Sequence, residues 1–414
     1  MSTSLGARVG EAVTPPPPAT GGTFPVLDTL RAVGALCVVT THAAFWAGEY
    51  TGNGVWGTLL ARLDVGVAIF FVLSGFLLAR PWLIRAADGT TRPAVRPYLR
   101  KRFLRIAPLY VVTVVLALSL VQENRDLGVA DWLRTLLMLD TATGQVFPAG
   151  LTQMWSLAVE VAFYLVLPLV MLLAVGRGRP LRVPRVLLCL AALGAVSVYW
   201  HLDAVPRLEA VIDGAPVQWL PAYLSWFAVG LLLALVQVLH ERGTAPRWAA
   251  TIVALGRQPG SCWVLAVALL LVCATPLAGP SMFDAPSPAE ALAKNVLYAA
   301  IGFLVVVTGV FTVSGGRYAQ TLSHLAARRL GWISYGIFCL HLPVLHLVMW
   351  STGWPLFQGR GLQIWLLTVL ISVAAAEVAY RVVERPALRL KMPRRQIRPS
   401  ASETTSPTTE TTSR

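Results

Sequence analysis

The sequence predicts an all-α integral membrane protein, a bundle of about ten transmembrane helices with both termini on the cytoplasmic side. Three observations carry that expectation. Of 414 residues, 56% are hydrophobic and only 13% charged, about half the charged share of a soluble domain. This excludes a water-soluble globule and, for the bulk of the chain, intrinsic disorder. The apolar residues also gather into runs of about 17 to 25, the length an α-helix needs to cross about 30 Å of hydrocarbon. Finally, the basic residues between those runs alternate in density from loop to loop.

Residues 1–24 hold the run Pro15 to Pro18 and no apolar core, so they read as a disordered cytoplasmic lead and not as a cleavable signal peptide. Candidate spans follow at about 28–47, 65–84, 106–121, 155–175, 184–200, 217–239, 262–279, 295–315, 331–350 and 361–383. The loops 80–105, 176–183, 240–261 and 316–330 carry 17 Lys and Arg residues. The opposite loops carry only Arg62, Arg125, Arg134, Arg207, Lys294 and Arg360. The denser set marks the cytoplasmic side, so the net charge of +14 belongs to membrane topology and calls for no nucleic-acid partner. The transmembrane domain thus covers 25–386. Residues 387–414 form a basic stretch suited to anionic lipid headgroups, then a Ser/Thr-rich disordered cytoplasmic tail. The five cysteines fall in or beside apolar spans without CxxC spacing, which indicates packing and neither a metal site nor a disulfide framework. The low Lys content relative to Arg, with abundant Ala, Val, Leu, Gly and Pro, points to a GC-rich bacterial gene and hence to a bacterial cytoplasmic membrane.

A titratable side chain inside a span is costly enough that its first reading is functional. Arg31 and His42 in the first span are eleven residues apart, about 1100° of helix, so they share one stripe with an axial separation of about 16 Å. Asp28 sits beside Arg31. Glu160 lies about 7 Å below the outer boundary of the fourth span, the depth expected for His42, so a His42–Glu160 pair is expected in which the carboxylate orients the imidazole. A bland reading makes Glu160 a helix-to-helix hydrogen bond instead.

Arg102 and Arg105 share a face if the stretch YLRKRFLRIAP, residues 98–108, is helical. Their guanidinium forks suit phosphate oxygens, although such a cluster also serves as a topology anchor. Ser74 and Gly75 form a small-residue pair near mid-membrane, suited to close helix packing. His341 lies mid-span in SYGIFCLHLP with Tyr335 nearer the cytosol, and either a structural or an active-site role fits. Glu377 and Arg381 are four apart and neutralise one another.

Taken in order, LDTLRAVGALCVVTTHAAFW, VGVAIFFVLSGFLLARP, YLRKRFLRIAPLY, MWSLAVEVAFYLVLPL, SYGIFCLHLPVL and the closing VERP resemble the acyltransferase-3 family of integral membrane acyltransferases. The resemblance spans 25 to about 386. It implies an enzyme that moves an acyl group, most often acetyl, from acyl-CoA to a hydroxyl of a carbohydrate, lipid-linked glycan or natural product, with no metal. It implies that the histidine at His42 is essential and that Arg31, Arg102 and Arg105 matter for activity. Some relatives carry a soluble domain after the helices, which leaves room for a separate extracytoplasmic partner.

Residues and resemblance combine into one expectation. The donor phosphates dock at Arg31, Arg102 and Arg105, the thioester reaches His42, and His42, oriented by Glu160, acts as general base. Ser74 or Tyr335 are candidates for the developing oxyanion, alongside Asp28 and His341 as lining residues. Acylation of His42 itself, as a relay, is equally compatible. A proton-coupled secondary transporter using His42 and Glu160 is the competing class.

Overall fold

A computed structural model describes residues 24–176, 180–281 and 284–390, so the expected N-terminal lead and most of the basic and Ser/Thr-rich tail lie outside the described residues. Among these residues the regular structure is helical throughout. The long helices are α1 (Pro25–Ala47), α2 (Gly66–Ala87), α3 (Val95–Leu120), α4 (Met154–Val175), α5 (Val183–Tyr199), α6 (Leu220–Glu241), α7 (Arg247–Gly256), α8 (Pro259–Cys273), α9 (Pro288–Val310), α10 (Leu325–Thr352) and α11 (Gly361–Ala379). Among the described residues, nine helices are long and apolar enough to cross a membrane, ten if the bent pair α7–α8 counts as one span.

That pair corrects the seventh expected span. The span expected over 262–279 falls on α8, which is only 15 residues long and is preceded by α7 at a bend of 88°. Pro259 explains the break, because it has no N–H to continue a helix and biases Gln258 away from helical angles. At 1.5 Å per residue α8 covers about 22 Å, short of the hydrocarbon thickness. The third span differs in the other direction. Helix α3 begins at Val95, so the basic stretch is helical and Arg102 and Arg105 share a face. Pro108 is carried inside it.

The core is built on α2, which packs most extensively on α6, while α1 packs on α10 and α10 on α11. A Cβ on Gly75 would come within 2.4 Å of the Phe227 carbonyl oxygen, so α2 and α6 touch through backbone and only glycine fits there. Beside that contact Phe227 stacks on Phe71 at 4.6 Å and on Phe163 at 3.8 Å, which ties α4 to the same pair. At the end opposite the basic cluster, the buried Arg62 donates to the carbonyls of Cys273, Gly279 and Pro280. Asp64 pairs with Lys294 at 2.7 Å. Arg62 and Lys294, expected only as sparse loop charges, therefore fasten the α2 entry to α8 and α9.

Candidate active site

The helices place a cavity of about 110 Å³ near the arginine-rich end of the bundle. Arg31 of α1, Ser74 of α2, Arg102 and Arg105 of α3, Glu160 and Tyr164 of α4, and Tyr335 of α10 all line it. Six of the nine residues expected at the active site from sequence thus line one cavity, drawn from five helices. A larger groove of about 810 Å³ between α3, α10 and α11 is lined almost wholly by apolar side chains and offers little chemistry.

The three arginines differ in what neutralises them. Arg105 Nη1 lies 2.7 Å from Glu384 Oε2, and Glu384 is 2% exposed. Glu384 belongs to the VERP motif and reaches Arg105 because a π turn over Tyr380–Glu384 follows α11, a widening frequent at functional sites. Arg31 Nη1 lies 3.4 Å from Asp28. Asp28 does not line the cavity. It also accepts from Arg328 Nε at 3.3 Å and Trp332 Nε1 at 3.1 Å, which clamps α1 to α10. Arg102 has no ion-pair partner among the described residues, and its Nε is buried without a hydrogen bond. A buried charged donor left unsatisfied is expensive, so the geometry has room for an anion at this point.

The expected His42–Glu160 pair is not formed. Glu160 Oε1 accepts from Ser74 Oγ at 2.5 Å and from Tyr164 OH at 2.7 Å. Tyr164 is one turn beyond Glu160, on the same helix face. The depth count went wrong because α4 does not start at the membrane boundary. Leu151, Gln153 and Met154 are buried, and Gln153 Nε2 donates to the backbone oxygen of Cys339, halfway along α10. Seven residues further on, Glu160 lies about 10 Å closer to the arginine-rich end.

His42 meets His341 instead, Nδ1 to Nε2, at 3.1 Å. His341 is fully buried, and its Nδ1 lies 2.7 Å from the Phe338 carbonyl oxygen. A carbonyl only accepts, so the proton of neutral His341 is on Nδ1 and its Nε2 carries a lone pair. His42 Nδ1 must then supply the proton between the rings, shared with the Val38 carbonyl at 2.9 Å. The network thereby assigns a basic lone pair to His42 Nε2. Phe338 links the two parts of the site, since it lines the cavity and its ring lies 6.1 Å from that of His341.

Neither hydroxyl proposed for an oxyanion is available as the structure stands. A hydroxyl has one proton; Ser74 gives its own to Glu160, and Tyr335 gives its own to the Ile106 carbonyl at 2.8 Å. The small-residue pair also splits its duties, with Gly75 facing α6 and Ser74 facing the cavity. Glu377 does meet Arg381 at 2.6 Å, and Arg329 joins the same carboxylate with two contacts.

Comparison with known proteins decides what such a bundle is. The model of a family described as an acyltransferase domain matches residues 24–380. The chain belongs to the acyltransferase-3 family. It is 29% identical over 404 residues to acyltransferase MdmB of Streptomyces mycarofaciens, covering 90% of this chain and 94% of that one. It is 27% identical over 395 residues to nodulation protein 10 of Rhizobium leguminosarum bv. viciae, covering 88% and 93%. With O-acetyltransferase OatA of Staphylococcus aureus it shares 23% over 398 residues, 88% of this chain but 57% of OatA. No solved structure matches. The protein is therefore a multi-pass membrane acyltransferase, and the transporter reading is set aside.

Proposed function

We infer that this acyltransferase moves an acyl group, acetyl or another short chain, from acyl-CoA to a hydroxyl of a carbohydrate, glycolipid or glycosylated natural product at a bacterial cytoplasmic membrane. The observation that carries the reading is the unpartnered, buried Arg102 Nε on the wall of the arginine cavity. A phosphate oxygen is the partner its planar fork suits best. The arginine-rich end then faces the cytosol, where acyl-CoA is found, and both termini with it. The names of relatives support the acceptor class: OatA is an O-acetyltransferase, and YrhL of Bacillus subtilis carries the name putative peptidoglycan O-acetyltransferase.

Arg102, with Arg31 beside it, would hold the donor phosphates, while Arg105 stays tied to Glu384 and keeps the wall of the site in place. The donor supplies a thioester, whose acyl carbon is open to attack. His42 Nε2 takes the proton of the acceptor hydroxyl as its oxygen bonds to that carbon, and returns the proton to the thiolate released when the C–S bond breaks. His341 receives the Nδ1 proton of His42 throughout, which fixes the tautomer and leaves Nε2 as the base. Glu160 serves the arginines and not the base, as a counter-charge held by Ser74 and Tyr164. Supplying labelled acetyl-CoA to membranes that contain the protein tests the reading. Label is expected in an alkali-labile ester on the acceptor; label confined to alkali-stable amides would contradict transfer to a hydroxyl.

A further inference from the structure

A residue outside the cavity hydrogen-bonds to the helix turn that carries His341. Helix α10 carries Pro343 in its interior. Proline has no backbone N–H, so the carbonyl four residues earlier loses its helical donor. That carbonyl belongs to Cys339, two residues from His341. In a membrane an orphaned backbone carbonyl has no water to turn to, and it must find a partner elsewhere.

The partner is a side chain from another helix. Gln153, 2% exposed and immediately before α4, donates from Nε2 to the Cys339 oxygen at 2.9 Å. The segment leading to it leans on the same turn. Gly150 has φ +78°, and a Cβ there would stand 3.3 Å from Pro343 Cα. Glycine is favoured there by its left-handed backbone, and the close approach leaves a side chain little room. Gln153 and Gly150 together brace the turn Cys339–Pro343, which carries His341 and through it the Nδ1 proton of His42.

We propose that Gln153 is a positioning residue for acyl transfer, replacing the backbone donor that Pro343 removes and thereby holding His341 where it fixes the tautomer of His42. The role rests on the reading of His42 as the base. It needs no contact between Gln153 and either substrate.

The test uses the full-length protein in detergent or liposomes. Gln153→Ala is expected to lower kcat by about tenfold to a hundredfold, the cost of a small misplacement of reacting groups, with KM for acyl-CoA unchanged. In the ¹⁵N spectrum of the six histidines, the His42 signal is expected to change from a single Nδ1–H form to a mixture of tautomers. Pro343→Ala restores an N–H to Cys339, so the same Gln153→Ala change made on that background should cost much less. If Gln153→Ala alone fails to fold, the double variant is expected to recover the fold. An equal effect on both backgrounds, a double variant that stays unfolded, or an unchanged histidine spectrum would overturn the proposal. His42→Ala separates the two levels of inference: wild-type turnover there would refute the base itself, whereas an inactive His42→Ala with no Gln153 effect would remove only the positioning role.

Discussion

Arg102 and Arg105 carry the same charge, three residues apart on one helix, yet their replacement by alanine is expected to do opposite things. Arg102 Nε is buried with no hydrogen-bond partner among the described residues, although the side chain as a whole is half-buried. Removing it breaks no ion pair and deletes one desolvated, unpaired N–H, so stability should stay the same or rise slightly. Donor binding should fall, because a charge-assisted hydrogen bond contributes about 1.5–3 kcal/mol, which is roughly a 10- to 150-fold change in Kd at 1.4 kcal/mol per tenfold. Arg105 lies 2.7 Å from Glu384, which is 2% exposed. Its loss takes a partner from a buried carboxylate and should cost about 3 kcal/mol of stability. Calorimetric titration of the purified protein with acetyl-CoA, paired with thermal unfolding, reads both quantities. S-Acetylpantetheine, which has no phosphates, should bind wild type and Arg102→Ala alike. Arg102→Ala that binds acetyl-CoA as tightly as wild type, or that loses as much stability as Arg105→Ala, would refute the assignment of Arg102 to the donor phosphates.

Glu160→Gln keeps a side chain that Ser74 and Tyr164 can still meet but removes the negative charge facing the arginines. It should therefore tighten acetyl-CoA binding by less than about tenfold, where a carboxylate paired to the base would instead show its loss in kcat. Ser74→Ala and Tyr335→Phe should each leave kcat within about tenfold of wild type, whereas an oxyanion donor costs about 10²–10³; steady-state rates distinguish the two. Gly75→Ala should destabilise the bundle by about 1–3 kcal/mol through the α2–α6 backbone contact, seen as a lower Tm, and an unchanged Tm would mean the helices can separate freely there.

Hydropathy alone made nine of the ten spans legible, because a helix in lipid must be long, apolar and internally hydrogen-bonded. It was least exact at 262–279, which falls on the short α8, because Pro259 separates that helix from α7 at a bend of 88°. The cavity was largely legible too, since Arg31 and Glu160 inside spans are too costly to be incidental, and Arg102 and Arg105 share a helix face with forks suited to phosphate. What stayed hidden were partners set by tertiary packing. Glu160 was assigned to His42 by counting from a boundary that the buried start of α4 does not respect. Tyr164, four residues beyond Glu160, carried a readable signal, as did Glu384 in VERP. Gln153 carried none on its own, because its role comes from a proline nearly two hundred residues away. His341 was visible as a buried titratable group, but only the fold brings it to His42.

The most direct test of the central claim is turnover of labelled acetyl-CoA by wild type and His42→Ala in proteoliposomes supplied with membrane acceptors. With Arg102 intact, both proteins are expected to bind the donor equally, and only the wild type to move label onto an acceptor, with a loss of about 10²–10⁴ in rate for the variant. His42→Ala that transfers label at the wild-type rate would contradict His42 as the catalytic base.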